Sequence, residues 1–464
     1  MSTSSPTRFC IESRKRDLVL ILIVLLIGLG CWQGCDKPKQ AASHPTYIVI
    51  SGDTQGWIVP CGCTANQSGG LPRRATYLRQ LRSGADVLYF DVGGAAAGDS
   101  PYQQMKLEAI FAGETSMGIS AHNIGGSELA MGAASLASLV NSTHIPLLSA
   151  NAHLADHSSI APEIRIVQFQ GKRLGVIGVV SRRFATAEIA VSDPHQAILD
   201  VIARHKGEYD SLLVLAYLPQ EELERLATET PEADAIVGGP TGQSIVPRRV
   251  GPTLVASATN KGKFLIQLTP PGADSVAWNG TVVELGKSYA DDEDQVANLH
   301  AYLELLKERD LTAAESGYAP VLPVGVPSDY RIAGSTSCIS CHAQSSAIWA
   351  HSLHAAAGRT LEPRHFEVDP DCLRCHTTGY GLPGGFVSPV RTPQLYGVGC
   401  ESCHGPSEAH VNNPMVHTQY QAFDQCVRCH DEENSPIFER VTYWNKIRHG
   451  KDSTTRPSTE VVPN

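Results

Sequence analysis

Short apolar runs alternate with amphipathic stretches through the first part of the chain. The runs are rich in β-branched and aromatic residues, which predicts buried strands at 47–50, 87–90, 174–180, 212–215 and 235–237. Apolar residues at helical spacing lie between these runs and predict helices at 71–81, 127–140, 194–205 and 220–228. The alternation predicts a layered α/β domain over 45–287, in which helices cover a sheet.

A different pattern follows this domain. Apolar residues recur on one face of the stretch from Asp291 to Arg309, with charges on the other face, which predicts a helix. The proline-containing stretch from Ala319 to Val326 is typical of an extended linker. We therefore predict a helix and linker over 288–330, a second domain over 333–450 and a flexible tail over 451–464.

The N-terminus carries an export signal. Basic residues at 14–16 precede an unbroken apolar run from Leu18 to Ile27, which is short for a membrane span and typical of a signal peptide core. Gly30 and Cys31 resemble the end of a bacterial lipobox, which would make Cys31 the lipidated first residue of the mature chain. Segment 1–31 is thus expected to be a signal peptide or a membrane or lipid anchor, with a simple secreted form as the remaining alternative. Each predicts a protein that is periplasmic or otherwise outside the cytoplasmic membrane.

Four copies of Cys-x-x-Cys-His lie in the predicted second domain. Two thiols about one turn apart can each bond a vinyl group of one porphyrin, with the next imidazole over the iron, so the motif is typical of c-type haem attachment. The attachment cysteines are Cys338, Cys341, Cys372, Cys375, Cys400, Cys403, Cys426 and Cys429, and the proximal ligands are His342, His376, His404 and His430. The motifs predict four covalently bound haem c groups. Zinc sites are the alternative, but zinc does not need a histidine after every second cysteine.

Six further histidines in this domain could bind the distal side of the irons: His351, His354, His365, His410, His417 and His449. The domain has one methionine, Met415, so at most one haem can have the His/Met ligation that raises the potential. Most irons are therefore expected to be bis-histidine or to have an open position.

The formal net charge is −10, and haem propionates would add further negative charge. Nucleic acid is therefore not an expected partner. The expected partners are redox proteins that present a basic or an apolar docking face.

Six segments of the first domain follow one known pattern: Ser51–Gly56, Gly69–Ala75, Phe90–Gly94, Asn123–Glu128, Ser149–Asn151 and Ile236–Gly242. They resemble the 5'-nucleotidase branch of the calcineurin-like metallophosphatases. The resemblance implies a layered β-sandwich with flanking helices and a two-metal site for phosphoester hydrolysis.

Most of the metal ligands implied by this resemblance are absent. Asp53 remains, whereas the other ligand positions hold Gln55, Gly94, Gly126, Ser127, Tyr217, Pro240 and Gly242. An alignment slip through His122 would restore one or two ligands at most. We therefore expect a catalytically degenerate domain. Cys61 and Cys63, at the edge of the expected site, could form a redox or metal-binding pair, pair with each other or with Cys35, or be loop thiols.

Residues 337–450 resemble the cytochrome c-554 multihaem family. Besides the four haem motifs, the likeness rests on Trp349–Ala355, Cys375–Gly381, Gly399–Pro406, His410, Tyr443–Trp444 and Ile447–Gly450. The resemblance implies a mostly helical multihaem cytochrome c domain with stacked haems, which relays electrons in the periplasm. It also implies His354, His410 and His449 as distal ligands, with a fourth from His351, His417 or His365.

Two classes of function fit these features. The first is an exported multihaem electron carrier whose degenerate phosphatase-like domain is a scaffold or docking module. The alternative is a haem-based oxidoreductase that acts on a small nitrogen or sulfur compound at one five-coordinate haem. An active metallophosphoesterase with an attached redox domain is a third possibility that the missing ligands disfavour.

Overall fold

The structure is a computed structural model that describes residues 44–60, 67–169, 171–272, 277–322, 326–417, 420–432 and 434–450. The predicted export segment, the predicted tail and the thiols Cys31, Cys35, Cys61 and Cys63 lie outside the described residues. No helix in the described ranges is both long and apolar enough to span a membrane.

Two six-stranded sheets form the first part of the structure. The strands are β1 Thr46–Ser51, β2 Asp86–Asp91, β3 Ala121–Asn123, β4 Leu147–Leu148, β5 Ala152–Leu154, β6 Ile164–Phe169, β7 Lys172–Val180, β8 Ile189–Val191, β9 Ser211–Tyr217, β10 Ala235–Gly239, β11 Ile245–Val250, β12 Thr253–Ser257, β13 Phe264–Thr269 and β14 Asn279–Glu284. One sheet has the order β14-β13-β1-β2-β3-β4 and the other β11-β12-β10-β9-β7-β6, and β5 pairs with β8. The five predicted strands are all present, as β1, β2, β7, β9 and β10.

Helices pack around these sheets, and the last of them packs against the first two. They are α1 Leu71–Arg82, α2 Pro101–Ser116, α3 Gly126–Ala130, α4 Ala133–Thr143, α5 Pro194–Arg204, α6 Gln220–Glu229 and α7 Glu293–Arg309. The predicted helix over 127–140 is in fact two helices, because the backbone of Gly132 between them has a φ of 78°. Helix α2 was not expected from the sequence.

Alternating side chains of β9 show why the domain has layers. Leu213 and Leu215 belong to the core between the two sheets, whereas Leu212 and Val214 belong to a second core with Ile198 of α5 and other helix residues. Successive residues of a strand point to opposite faces, so a fully apolar strand is stable only when both faces are covered. The predicted α/β sandwich with flanking helices is confirmed.

The region after residue 333 is organised differently, with short helices joined by turns and no strand among its described residues. Its α-helices are α8 Ala343–Ala350, α9 Pro370–His376, α10 Cys400–His404, α11 Glu408–Asn412 and α12 Arg440–Ile447. Leu361, Phe366 and Leu373 belong to the same apolar core as Leu299 and Leu303 of α7. The predicted mostly helical second region is confirmed, and it shares a core with the first.

Candidate haem and metal sites

Three predicted distal histidines each lie opposite a predicted proximal histidine. The ring centres are 6.2 Å apart for His342 and His410, 6.2 Å for His354 and His430, and 6.0 Å for His404 and His449. An imidazole nitrogen binds a metal at about 2 Å, so two rings on opposite sides of one iron have centres roughly 6 Å apart. The three pairs therefore fit bis-histidine iron sites.

Hydrogen bonds hold two of the distal rings in the tautomer whose Nε2 can bind iron. Nδ1 of His410 lies 2.8 Å from the carbonyl oxygen of Val416, and Nδ1 of His449 lies 3.0 Å from that of Ile447. Because a carbonyl oxygen only accepts, Nδ1 carries the proton and Nε2 keeps its lone pair. Sequence alone did not identify the two carbonyl groups that fix these ligands.

Burial also favours neutral imidazoles in this region. Desolvation lowers the pKa of His354, and the nearby His430 lowers it further. Desolvation likewise lowers the pKa of His404, with smaller contributions from His449 and His342. Neutral imidazole is the form that binds a metal, so the local environment supports iron ligation at these positions.

His376 differs from the other three proximal histidines. Its Nδ1 lies 2.8 Å from the carbonyl oxygen of Ala357, which leaves Nε2 available for iron. Among the described residues, no imidazole forms a ring pair with His376 like the three pairs above. Two of the three candidates for a fourth distal ligand lie beside other histidines. The His417 ring lies 6.1 Å from that of His410, and the His365 ring lies 5.9 Å from that of His300. The third candidate, His351, lines the same cavity as His376.

Among the described residues, the eight motif cysteines form no disulfide bond. Cys338 lies within hydrogen-bonding distance of Cys400, and Cys375 within that distance of Cys429. Cys403 and Cys426 are close enough to interact electrostatically. The attachment motifs are therefore neighbours in the order first, third, fourth, second. Among the described residues, no three sulfur or imidazole atoms of these motifs converge as a structural zinc site requires.

A cavity of about 840 Å³ lies beside the second and fourth motifs. Its walls include Cys372, Cys375 and His376 of the second motif and Cys429 and His430 of the fourth. This volume is in the upper part of the range of about 300–1,000 Å³ that small-molecule and cofactor sites occupy. The cavity fits the prediction that porphyrin fills this part of the region.

Asp53 is the residue around which the expected phosphatase site would form. It follows β1 in the chain, and its side chain is buried. Thr259 Oγ1 donates to Asp53 at 2.6 Å, and Gln55 Nε2 donates to its other oxygen at 2.9 Å. Burial raises the pKa of this carboxyl group although both hydrogen bonds lower it. Protein donors thus satisfy the carboxylate that the resemblance assigned to a metal.

Aromatic rings lie where two other metal ligands were expected. A side chain at Gly94 would collide with the ring of Tyr217, and one at Gly126 would collide with the ring of Phe184. The two rings contact each other, with centres 5.3 Å apart. Burial raises the pKa of Tyr217 far above its usual range, so its hydroxyl is neutral and hydrogen-bonds to Asp53.

A network of buried charged side chains near the expected phosphatase site was not expected from the sequence. Asp91, Glu114 and His122 bring their ligand atoms within 4.8 Å of one another. Arg74 Nη1 lies 3.1 Å from Glu114 Oε1, and His122 lies 2.7 Å from Glu114 and 3.3 Å from Glu128. Burial opposes the charged form of His122, but Glu114 and Asp91 outweigh it and raise its pKa. Arg74 and His122 thus offset the buried negative charge of Glu114 and Asp91.

The attachment motifs and the paired imidazoles of the C-terminal region are features typical of c-type cytochromes. Residues 337–405 match the family model described as cytochrome c554 and c-prime. The chain is 36% identical over 93 residues to cytochrome c-554 from Nitrosomonas europaea, an alignment that covers 17% of this chain and 40% of that relative. The chain thus spans less than half the length of this curated relative. The resemblance of the C-terminal region is confirmed, and it implies haem c as the cofactor.

Solved structures share the fold of the N-terminal region. The 5'-nucleotidase precursor from Thermus thermophilus has a TM-score of 0.50 and 18% identity, over 57% of this chain and 60% of that chain. The sulfate thiohydrolase SoxB from the same species, in complex with glycerol, has a TM-score of 0.50 and 15% identity, over 58% of this chain and 62% of that chain. At these identities the likeness concerns the fold alone. The predicted metallophosphatase-like fold is confirmed.

Proposed function

We propose that this protein is an exported electron carrier that passes electrons through four covalently attached haems. The observation that carries the proposal is the set of three histidine pairs with ring centres 6.0 to 6.2 Å apart, each joining a motif histidine to a distant one. Two strong imidazole ligands leave an iron no free position for substrate, so such haems transfer electrons rather than bind small molecules. The neighbouring order of the motifs supports one continuous path from the first haem through the third and fourth to the second.

The predicted N-terminal export segment supports a location outside the cytoplasmic membrane. Covalent haem attachment also takes place there, which supports the same location. A lipid on Cys31 or an uncleaved anchor would hold the protein at the membrane surface. Its partners in this proposal are redox proteins that exchange electrons with the exposed end of the haem chain.

Haem content is the first test of this proposal. Protein produced in a periplasm that matures c-type cytochromes is expected to have the mass of the mature chain plus four haem groups, because each motif supplies both thiols and a proximal ligand. The paired variant Cys372→Ala/Cys375→Ala should lose one haem mass. A matched control is Ser340→Ala, which changes a residue between two attachment cysteines and should keep all four. A mature wild-type protein with fewer than four haems would contradict the count.

We further propose that the metallophosphatase-like domain has no phosphoesterase activity. Two ions need several ligands to hold them, and Asp53 is already bonded to Thr259 and Gln55. The rings of Tyr217 and Phe184 lie where the side chains of two more ligands would be. The domain is then a scaffold for the haem region, with which it shares an apolar core.

Nucleotide hydrolysis tests this second part. Purified holoprotein with added manganese, zinc or cobalt is expected to hydrolyse nucleotide monoesters no faster than the variant Asp53→Ala, since Asp53 is the one carboxylate among the ligand positions that the resemblance implies and cannot organise two metal ions alone. An active 5'-nucleotidase in the same assay serves as the positive control. Metal-dependent turnover that disappears with Asp53→Ala would establish the alternative of an active phosphoesterase.

One observation favours a second function at the haem of the second motif. His376 has no imidazole partner among the described residues, and the cavity beside it also includes His351. A five-coordinate iron at this position could bind a small nitrogen or sulfur compound. Carbon monoxide binding to one haem of the reduced wild-type protein would support this function. If no haem binds carbon monoxide, the protein is an electron carrier without a catalytic haem.

A further inference from the structure

The N-terminal domain contacts the second haem motif through side chains that the sequence did not single out. Helix α9 carries this motif and begins after Asp369, whose side chain accepts from the backbone N–H of Asp371 at 2.9 Å. The hydroxyl of Tyr102 in α2 donates to Asp369 at 2.6 Å, and that of Tyr302 in α7 donates to its other oxygen at 3.3 Å. Both tyrosines are almost completely buried.

An ion pair between the two regions lies next to an attachment cysteine. Lys106 Nζ of α2 is 2.6 Å from Asp371 Oδ2, and the lysine side chain is only 8% exposed. The same ammonium group lies 4.6 Å from the centre of the Tyr102 ring, and Asp371 directly precedes the attachment cysteine Cys372. A buried lysine needs such a partner, because desolvation strongly disfavours an unpaired ammonium.

The N-terminal domain also forms part of the cavity beside this motif. Trp57, Ile58 and Pro60, from the loop after β1, line the same cavity as Cys372 and His376. The side chain of Lys106 packs against Gly56 of that loop. The second motif is therefore enclosed by residues from both regions, and its surroundings depend on the N-terminal domain.

We propose that Lys106, Tyr102 and Tyr302 are positioning residues through which the metallophosphatase-like domain sets the reduction potential of the second haem. This inference rests on the proposed electron-carrier function. It gives the scaffold domain a specific role, which is to set the potential of one of the four haems. The Lys106 charge offsets the Asp371 carboxylate beside the attachment point, and the two tyrosine hydroxyls hold the start of α9 in place. Local charge and hydrogen bonding are two of the means by which a protein sets a haem potential.

Redox titration of the four-haem protein, followed by electron paramagnetic resonance, tests the proposal. The signal of the second haem is the one absent from the paired variant Cys372→Ala/Cys375→Ala. Lys106→Met should lower the potential of this haem, because the unbalanced Asp371 carboxylate stabilises the ferric form. Asp371→Asn should raise it, and the combined variant Lys106→Met/Asp371→Asn should return it close to the wild-type value.

Two matched controls separate this effect from loss of structure. Lys106→Arg keeps the charge and should preserve the potential, and Lys172→Met removes an exposed lysine of β7 and should change nothing. If Lys106→Met does not mature, Asp371→Asn, which keeps the size of the side chain, decides the question. The inference is overturned if the potential of the second haem does not move in these variants, or if all four potentials move alike. A wild-type protein that lacks four haems or takes up no electrons would instead contradict the proposed function itself.

Discussion

Replacing His410 with alanine is expected to convert one low-spin haem to a high-spin haem that binds carbon monoxide. His410 lies opposite His342, with ring centres 6.2 Å apart, so its loss opens the sixth position of the first iron. The potential of that haem should rise, because one strong imidazole donor is removed from the ferric form. His354→Ala and His449→Ala should have the same effect on the fourth and third haems. Absorption spectra of the reduced proteins with and without carbon monoxide measure the change.

The control for this series is His365→Ala. The His365 ring packs against His300 rather than against a motif histidine, so the low-spin spectrum should be retained. If instead none of the three predicted distal variants alters the low-spin population, the distal ligands lie elsewhere and the three ring pairs do not represent iron sites. A new high-spin haem in the His365→Ala variant would identify that residue as the missing fourth ligand.

The sequence predicted the strands of the N-terminal domain well, because a strand covered on both faces is a nearly continuous run of apolar residues, as in β7 and β9. Helix α2 was missed for a physical reason. Its buried face includes Lys106 and Glu114, which interrupt the apolar pattern. Each is buried only because a distant residue pairs with it, Asp371 for the lysine and Arg74 for the glutamate. Such pairing cannot be inferred from local periodicity.

In the candidate sites, too, local motifs could be predicted from the sequence and contacts between distant residues could not. Attachment cysteines and proximal histidines are local motifs, so their chemistry could be predicted from spacing alone. Which distal histidine faces which motif depends on contacts between residues far apart in sequence, such as His354 and His430. In the phosphatase-like domain, the sequence predicted that most metal ligands are absent, but it did not predict that Tyr217 and Phe184 lie in the space above Gly94 and Gly126.

Without haem, the C-terminal region is expected to lose its fold while the N-terminal domain keeps its own. Among the described residues of the region, the longest helices are α8 and α12 with eight residues each, and helices shorter than about 12–15 residues are marginal by themselves. Its described part contains no strand, and few of its apolar side chains are buried compared with the sheets before it. Porphyrin must therefore supply most of the apolar surface around which these helices pack.

Limited proteolysis of the full chain measures this difference. Protein in which all eight motif cysteines are replaced by alanine should be cleaved rapidly between residues 335 and 450, whereas the mature four-haem protein should resist. The N-terminal domain should remain protected in both, because its strands and helices bury two apolar cores of their own. The segment around α9 should be the most resistant part of the haem-free region, because Phe366 and Leu373 share the apolar core of α7 and Lys106 pairs with Asp371. Equal protection of the whole C-terminal region with and without haem would show that its fold does not depend on the cofactor.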